Sequence, residues 1–260
     1  MTASVPAATI VLEVPAGDAA VPRLELSEWA ARYGIVAGIT TRTGGFSLGL
    51  WSEEPTGQVM TRWRAFRRAF ESGFPTVVMS HQVHGSEIKW HSDLPPGWLV
   101  LDGVDGHATQ DPGTLLVITV ADCIPVYLAA PQQGVVALLH AGWRGVAGGI
   151  LERALGDLTA ATGASCRDFV MHCGVGICGN CYEVGYEVSE RVTGRPPAAS
   201  PTFVDLRGLL AGRGAALGVS EVSISAYCSA HHNDQFYSHR ASDGRDGRMV
   251  AYLGMPLLSP

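Results

Sequence analysis

The sequence predicts an α/β protein built on a mixed β-sheet flanked by helices. Three observations carry that expectation. Residues 114–130 and 135–140 are apolar runs rich in valine, isoleucine and leucine. They are too continuous for strands with one wet face and read as strands buried on both sides. Helical spacing then follows, with Ile150, Leu151, Ala154, Leu155 and Leu158 on one face. Finally, 32 glycines and 15 prolines are spread along the chain, so turns are frequent without low complexity. A chain of 260 residues with 47% hydrophobic content can bury a substantial core. It shows no repeat and no clean boundary, so residues 1–260 read as a single domain.

The elements follow in order. Residues 8–14 read as a strand from their β-branched content. Residues 24–32 read as a short helix, and 35–41 as a strand that runs into the turn Arg42-Thr43-Gly44-Gly45. Residues 62–70 form a helix with Trp63, Phe66 and Phe70 on one face. Arg64, Arg67 and Arg68 fall mostly on the other, which reads as a solvated face rather than an anion site. Residues 76–84 and 98–104 are strand-like. The 114–130 run is interrupted by Ala121-Asp122-Cys123. Its second half should pair with 135–140 as an antiparallel hairpin across the short connection 130–134. A glycine-rich turn leads into the helix at 150–158. Residues 169–174 and 222–227 read as strands, 182–192 and 205–217 as helices, and 248–253 as the last strand. Residues 196–201, rich in proline, are the best internal linker candidate.

Composition excludes several functions. Only 16% of residues are charged and the net charge is -6, which offers no basic face to nucleic acid. The first fourteen residues carry no basic side chain and do not read as an export signal. The apolar stretch around 115–120 is far too short to span a bilayer. The reading is a soluble cytoplasmic protein with neither a nucleic acid nor a membrane as partner. Without an export signal, the six cysteines read as free, metal-bound or catalytic thiols rather than disulfides.

Chemistry concentrates in three islands: His81-Gln82-Val83-His84-Gly85, Ala121-Asp122-Cys123-Ile124-Pro125-Val126 and His140-Ala141-Gly142-Trp143-Arg144-Gly145. Cys123 interrupts a buried run beside an aspartate, which is expensive there unless paired or functional. Pro125 removes an amide donor and suggests a local break that could aim a side chain into a cleft. His140 closes the partner strand of the hairpin, so the two side chains can meet. His81 and His84 point to opposite faces if the segment is a strand. Gly85 gives His84 the turn position, so His84 is the preferred ligand. Two imidazoles and a thiolate suit zinc and leave its fourth tetrahedral position open, which points to an enzyme.

Weaker features flank this set. Gly142, Gly145, Gly148 and Gly149 precede a helix, where free amides attract anions. The lysine and hydroxyl of a nucleotide-triphosphate loop are missing, and plain turn chemistry explains the glycines equally well. Cys178 and Cys181 form a two-spaced pair. Cys173, Cys228, His231 and His232 make an irregular set around it, so buried or redox-neutral thiols are the default expectation. Ser238 and Arg240 suit phosphate or ribose contacts, with a plain surface role equally compatible.

The islands, together with Thr41-Arg42-Thr43-Gly44-Gly45-Phe46-Ser47-Leu48-Gly49, Asp105-Gly106, Cys181-Tyr182-Glu183-Val184-Gly185, Val204-Asp205-Leu206 and Phe236-Tyr237-Ser238-His239-Arg240, occur in order over about 35–253. In this the chain resembles the laccase-domain, or multicopper polyphenol oxidoreductase, family, whose bacterial members are described as purine nucleoside phosphorylases. The resemblance implies an α/β sandwich with mixed sheets, shared with some cysteine hydrolases. It implies zinc held by His84, Cys123 and His140. It also implies phosphorolysis of adenosine, inosine, guanosine and methylthioadenosine, and deamination of adenosine. The partners would be purine nucleosides and phosphate.

On that reading Asp122 is the candidate proton-shuttling acid. Arg42, Gln82, Arg144, Ser238 and Arg240 are the candidates for substrate or phosphate. Residues 50–55, the region near Arg62, and Ala241 after Arg240 depart from the family pattern and bear on substrate preference more than on the metal. Three rivals stand beside this reading. A copper-dependent polyphenol oxidase would need more histidines than the nine present. A cysteine hydrolase of peptidoglycan precursors would use Cys123 as nucleophile and His140 as base. A non-catalytic metal-binding module would act through partners.

Overall fold

The computed structural model describes residues 8–16 and 20–257. The first seven residues, half of the stretch read as lacking an export signal, lie outside it. In chain order the elements are Thr9–Val11 (β1), Val14–Pro15 (β2), Arg23–Glu25 (β3), Ser27–Tyr33 (α1), Val36–Thr40 (β4), Thr56–Phe70 (α2), Thr76–His81 (β5), Ile88–His91 (β6), Gly97–Asp102 (β7), Gly106–Thr109 (β8), Thr114–Val120 (β9), Ile124–Ala130 (β10), Val135–Ala141 (β11), Trp143–Ala147 (α3), Ile150–Thr162 (α4), Val170–Cys173 (β12), Glu183–Val184 (β13), Tyr186–Thr193 (α5), Thr202–Phe203 (β14), Leu206–Ala216 (α6), Glu221–Ser225 (β15) and Met249–Gly254 (β16).

These strands build two seven-stranded sheets. One has the order β1-β15-β12-β10-β11-β8-β6, the other β2-β3-β4-β16-β9-β5-β7, and β13 and β14 form a separate ribbon. Both large sheets are mixed. β10 runs antiparallel to β11 and β12, whereas β12 runs parallel to β15 and β5 runs parallel to both β7 and β9. The α/β class with mixed sheets flanked by helices is therefore as expected.

Alternate side chains explain why the central runs are apolar throughout. Leu116 and Ile118 of β9, with Ala251 and Leu253 of β16, meet Tyr127, Ala129, Val136 and Leu138 of the facing sheet. On the outer side of the first sheet, Val126, Leu128, Ala137 and Leu139 pack against Leu151, Ala154, Leu155 and Leu158 of α4 and Leu210 of α6. On the outer side of the second, Leu115, Val117, Val250 and Tyr252 pack against Trp63, Phe66 and Phe70 of α2. The result is four layers, helix–sheet–sheet–helix, in which each central strand is dry on both faces.

Several sequence expectations change in detail. The stretch 8–14 divides between the two sheets, because buried Glu13 turns inward to accept bonds from His172 and Ser225. The helix expected from 24 starts at Ser27, because Leu24 is buried while Arg23 and Glu25 pair on the other side, a period of two that makes β3. Likewise 182–192 gives up its first residues to β13 before α5. The hairpin of β10 and β11 forms with Pro125 opposite His140. Pro125 therefore sits inside β10 rather than at a break. The true break lies just before it. Ala121-Asp122-Cys123 carries the chain from β9 in one sheet to β10 in the other, with Asp122 in the left-handed region at φ 84. Among the described residues no helix is long and apolar enough to cross a membrane.

Candidate metal centre

The three islands meet at one end of the sandwich. β5 ends at His81, and the chain then turns sharply, with His84 at φ 60. A left-handed non-glycine residue costs on the order of 1 kcal/mol. Asp105 offsets it. Its buried carboxylate accepts the amides of Val83, His84 and Gly85 at 3.2, 2.9 and 2.7 Å. The same carboxylate accepts the Nδ1–H of His140 at 2.8 Å, and the Asp105 carbonyl accepts the His140 amide at 2.7 Å. One side chain thus shapes the His84 turn and fixes the His140 tautomer, leaving Nε2 of His140 to face the centre.

His84, Cys123 and His140 each offer one donor atom, and these atoms all lie within 4.8 Å of one another. The two imidazoles meet edge to face, 4.8 Å between centroids. Gly142 completes the cradle through what it lacks: a Cβ there would stand 3.0 Å from His84 Cδ2 and 3.1 Å from Cys123 Sγ. Tight convergence, a borderline-soft donor set and a second-layer carboxylate on one imidazole all fit a zinc-sized cation.

Electrostatics prepare the set in the same direction. Burial pushes the Cys123 thiol up, but the neighbouring His140 charge and hydrogen bonds from His140 and His84 outweigh it and bring the thiol down to about 6. Burial disfavours the His140 imidazolium. The Cys123 charge and the Asp105 hydrogen bond prevail, and His140 rises to about 9. Asp105 is held below the usual carboxylate range. Burial raises it, and the His140 hydrogen bond with the Gly85 and Val83 amides more than reverses that. The thiolate, the form that binds metals and attacks electrophiles, is therefore present at neutral pH.

The centre opens into a cavity of about 520 Å³. Trp51, His81, Trp143 and Tyr182 supply aromatic wall, and Arg144, Arg240 and Arg248 supply positive charge. Trp51 stacks on His81 with 4.6 Å between centroids and is 51% exposed. Arg144 lies over Trp143 at 4.3 Å, exposed, and makes no ion pair among the described residues. Arg240 lies over Tyr182 at 5.3 Å and donates to the Glu183 carbonyl at 2.8 Å. Gln82 lines the cavity, but its amide is committed to Thr119, donating to the carbonyl at 2.8 Å and accepting the Thr119 amide at 2.7 Å.

Two expected contacts are not in the wall. The Arg42 guanidinium is drawn away to Asp246 and the Asn233 carbonyl and covers Tyr237. Ser238 is fully buried behind the wall, where its hydroxyl donates to Asp122 at 2.8 Å. Asp122 itself lines the cavity as a hub. Ser229 and Ser238 donate to one oxygen and the Arg240 amide to the other, at 2.6, 2.8 and 2.7 Å. Asp105, Trp51, Tyr182, His239 and Arg248 are site residues that the sequence reading did not select. Asp105-Gly106 was visible as a motif without a role. Tyr182 and His239 likewise stood inside motifs without a role, and Trp51 lay in the stretch 50–55 that departs from the family pattern.

Comparison with known proteins places the chain in a family. The family model described as multi-copper polyphenol oxidoreductase laccase matches residues 36–256. Purine nucleoside phosphorylase YlmD of Geobacillus stearothermophilus is 32% identical over 247 residues, covering 85% of this chain and 90% of that one. Purine nucleoside phosphorylase of Deinococcus radiodurans is 34% identical over 235 residues, covering 84% and 88%. The crystal structure of YlmD from Geobacillus stearothermophilus superposes with a TM-score of 0.81 at 29% identity, covering 93% of this chain and 98% of that one. In sequence and fold, the chain belongs to the multicopper polyphenol oxidoreductase laccase family.

Proposed function

We propose that this protein is a zinc-dependent purine nucleoside phosphorylase that cleaves adenosine, inosine, guanosine and methylthioadenosine with phosphate, and that it also deaminates adenosine. The observation that carries the reading is the convergence of His84, Cys123 and His140 in a cavity walled by both aromatic rings and arginines. The relatives named purine nucleoside phosphorylase support it. Zinc held by these three residues would supply a Lewis acid and lower the pKa of a bound water to about 7.

The protein's own groups do the rest. Arg144, exposed in the wall and without a carboxylate partner among the described residues, with Arg240 and Arg248, draws phosphate in and holds it. Trp51 and Tyr182 offer flat faces to a purine. In phosphorolysis a phosphate oxygen bonds to ribose C1′ while the bond to the purine nitrogen breaks, and the leaving base takes up a proton. In deamination water adds at C6 and ammonia leaves. Asp105 keeps a proton on His140 Nδ1 throughout, so that Nε2 stays aimed at the centre. We assign Asp122 to holding the Arg240 segment. Proton transfer through Asp122 would require giving up hydrogen bonds from Ser229, Ser238 or the Arg240 amide.

Copper at a polyphenol oxidase centre fits less well. Three of the nine histidines are locked in strands away from the cavity: His91 and His107 bond each other, and His172 bonds Glu13 and Ser223. One other reading has a specific observation behind it. Cys123, His140 and Asp105 form a thiol–imidazole–carboxylate chain of the kind used by cysteine hydrolases. The second imidazole on the sulfur, His84, is superfluous for such a chain and required for a metal.

The test is purified protein with inosine. Hypoxanthine and ribose 1-phosphate should appear only when phosphate is present, and Cys123→Ala should abolish both. Release of base without phosphate, or full activity in Cys123→Ala, would overturn the reading.

A further inference from the structure

A second group of soft donors lies outside the cavity. The sequence repeats a two-residue spacing: Cys178-Gly179-Asn180-Cys181, then Cys228-Ser229-Ala230-His231. The three sulfurs and one ring nitrogen of His231 all lie within 4.8 Å of one another. Cys173 and His232, which made the set look irregular in the sequence, do not belong to the cluster. Cys173 is buried in β12, and His232 Nδ1 is engaged with the Cys228 backbone.

The backbone around the four residues is arranged for metal-bound thiolate. The first pair sits on a tight turn, closed by the Cys181 and Tyr182 amides donating to the Cys178 carbonyl, each at 3.0 Å. The Cys178 amide donates to Cys228 Sγ at 3.3 Å, and the Ala230 and His231 amides also reach that sulfur. His231 Nδ1 stands 3.6 Å from Cys178 Sγ. The two turns are themselves joined by the bridge between Gly176 and Cys228 and by the Ser229 amide donating to the Gly176 carbonyl at 3.0 Å. No disulfide forms among these cysteines.

We propose that Cys178, Cys181, Cys228 and His231 bind a structural zinc ion, with three sulfurs and one nitrogen filling all four tetrahedral positions. Such a closed site has no vacant position for substrate and acts as a staple. What it staples is specific. Tyr182, next to Cys181, is cavity wall and lies under Arg240. Ile177, next to Cys178, donates its amide to the Asp122 carbonyl at 2.9 Å, beside Cys123. Ser229, next to Cys228, donates to the Asp122 carboxylate. The ion would hold the back of the cavity in register without touching its contents. The inference is independent of the activity proposed above.

The test is metal content by elemental analysis of protein purified without chelator or added metal. The wild type is measured beside Cys123→Ala and the double variant Cys178→Ser/Cys181→Ser. The double variant should hold one zinc fewer per chain than the wild type, and Cys123→Ala should retain one. His231→Cys, which keeps four donors, should hold as much as the wild type. Should the double variant fail to fold, Cys123→Ala exchanged into cobalt reads the same site. It should show intense sulfur-to-cobalt charge transfer with tetrahedral d–d bands. Equal zinc in wild type and double variant, absence of those cobalt bands, or a mass two hydrogens short from a Cys178–Cys181 disulfide in fresh protein would each sink the proposal.

Discussion

Asp105 and His140 are joined twice, by a 2.8 Å bond from imidazole Nδ1 to carboxylate and a 2.7 Å bond from the His140 amide to the Asp105 carbonyl. The carboxylate also receives three successive amides from the His84 turn. An amide in its place has one acceptor oxygen and would set an N–H against donors. Asp105→Asn should therefore lower zinc affinity by about 10–100-fold, the usual range for such supporting partners. Competition against a chelator of known affinity measures it, and unchanged affinity would show that Asp105 serves only the turn.

Gly142 gives a steric counterpart. Its φ of -75 is ordinary for any residue, so Gly142→Ala introduces no backbone strain and acts only through the added methyl. That methyl meets His84 and Cys123 at 3.0 and 3.1 Å. Overpacking of this kind costs about 1–3 kcal/mol, or about 5- to 140-fold in affinity at 1.4 kcal/mol per factor of ten. Reduced zinc occupancy with an unchanged far-ultraviolet circular dichroism spectrum is the expected outcome.

The charge pair at the centre predicts a pH window for chelator-treated protein. His140 is raised to about 9, so its contribution to stability is complete below its free value and is lost as pH climbs through 9. Cys123 is lowered to about 6, so its contribution is complete above its free value and is lost as pH falls through 6. Both partners are charged only between these limits. Across these limits the gain from Cys123 offsets the loss from His140, so melting temperature should change little with pH and the window shows in the charge of the sulfur instead. Alkylation of Cys123 by iodoacetamide, followed by peptide mass spectrometry, should rise through pH 6 rather than near 9.

On the proposed phosphorolysis, Arg144 would separate phosphate capture from architecture. It is exposed, lies on Trp143 and has no ion-pair partner among the described residues, so its removal leaves no buried charge behind. A charge-assisted hydrogen bond contributes about 1.5–3 kcal/mol. Arg144→Ala should therefore raise KM for phosphate by about 10–100-fold with little change in melting temperature. A normal KM would move phosphate recognition to Arg240 and Arg248.

The soft donors were legible in the sequence because each interrupts or ends an apolar run, where a cysteine or histidine is conspicuous. Asp105 was not, because its role lies in contacts 20 to 35 residues away and a sequence shows only its glycine neighbour. β6 and β8 escaped notice because their buried polar residues satisfy one another: His91 Nε2 meets His107 Nδ1 at 3.0 Å, and His107 Nε2 meets Ser80 at 3.2 Å. The break at 121–123 was visible, but a break looks the same whether the chain continues its sheet or leaves it. Arg42 looked available because its partner Asp246 lies 204 positions further on.

That change of sheet has a mechanical consequence. His84 hangs from the end of β5 in one sheet, while Cys123 and His140 flank the hairpin of the other. A cation gripped by all three would be a rivet through the seam, and sliding one sheet over the other would pull the grip apart. Occupancy of the centre is thereby tied to shear rigidity between the layers. The outer helices, which hold none of the three ligands, carry no part of that load.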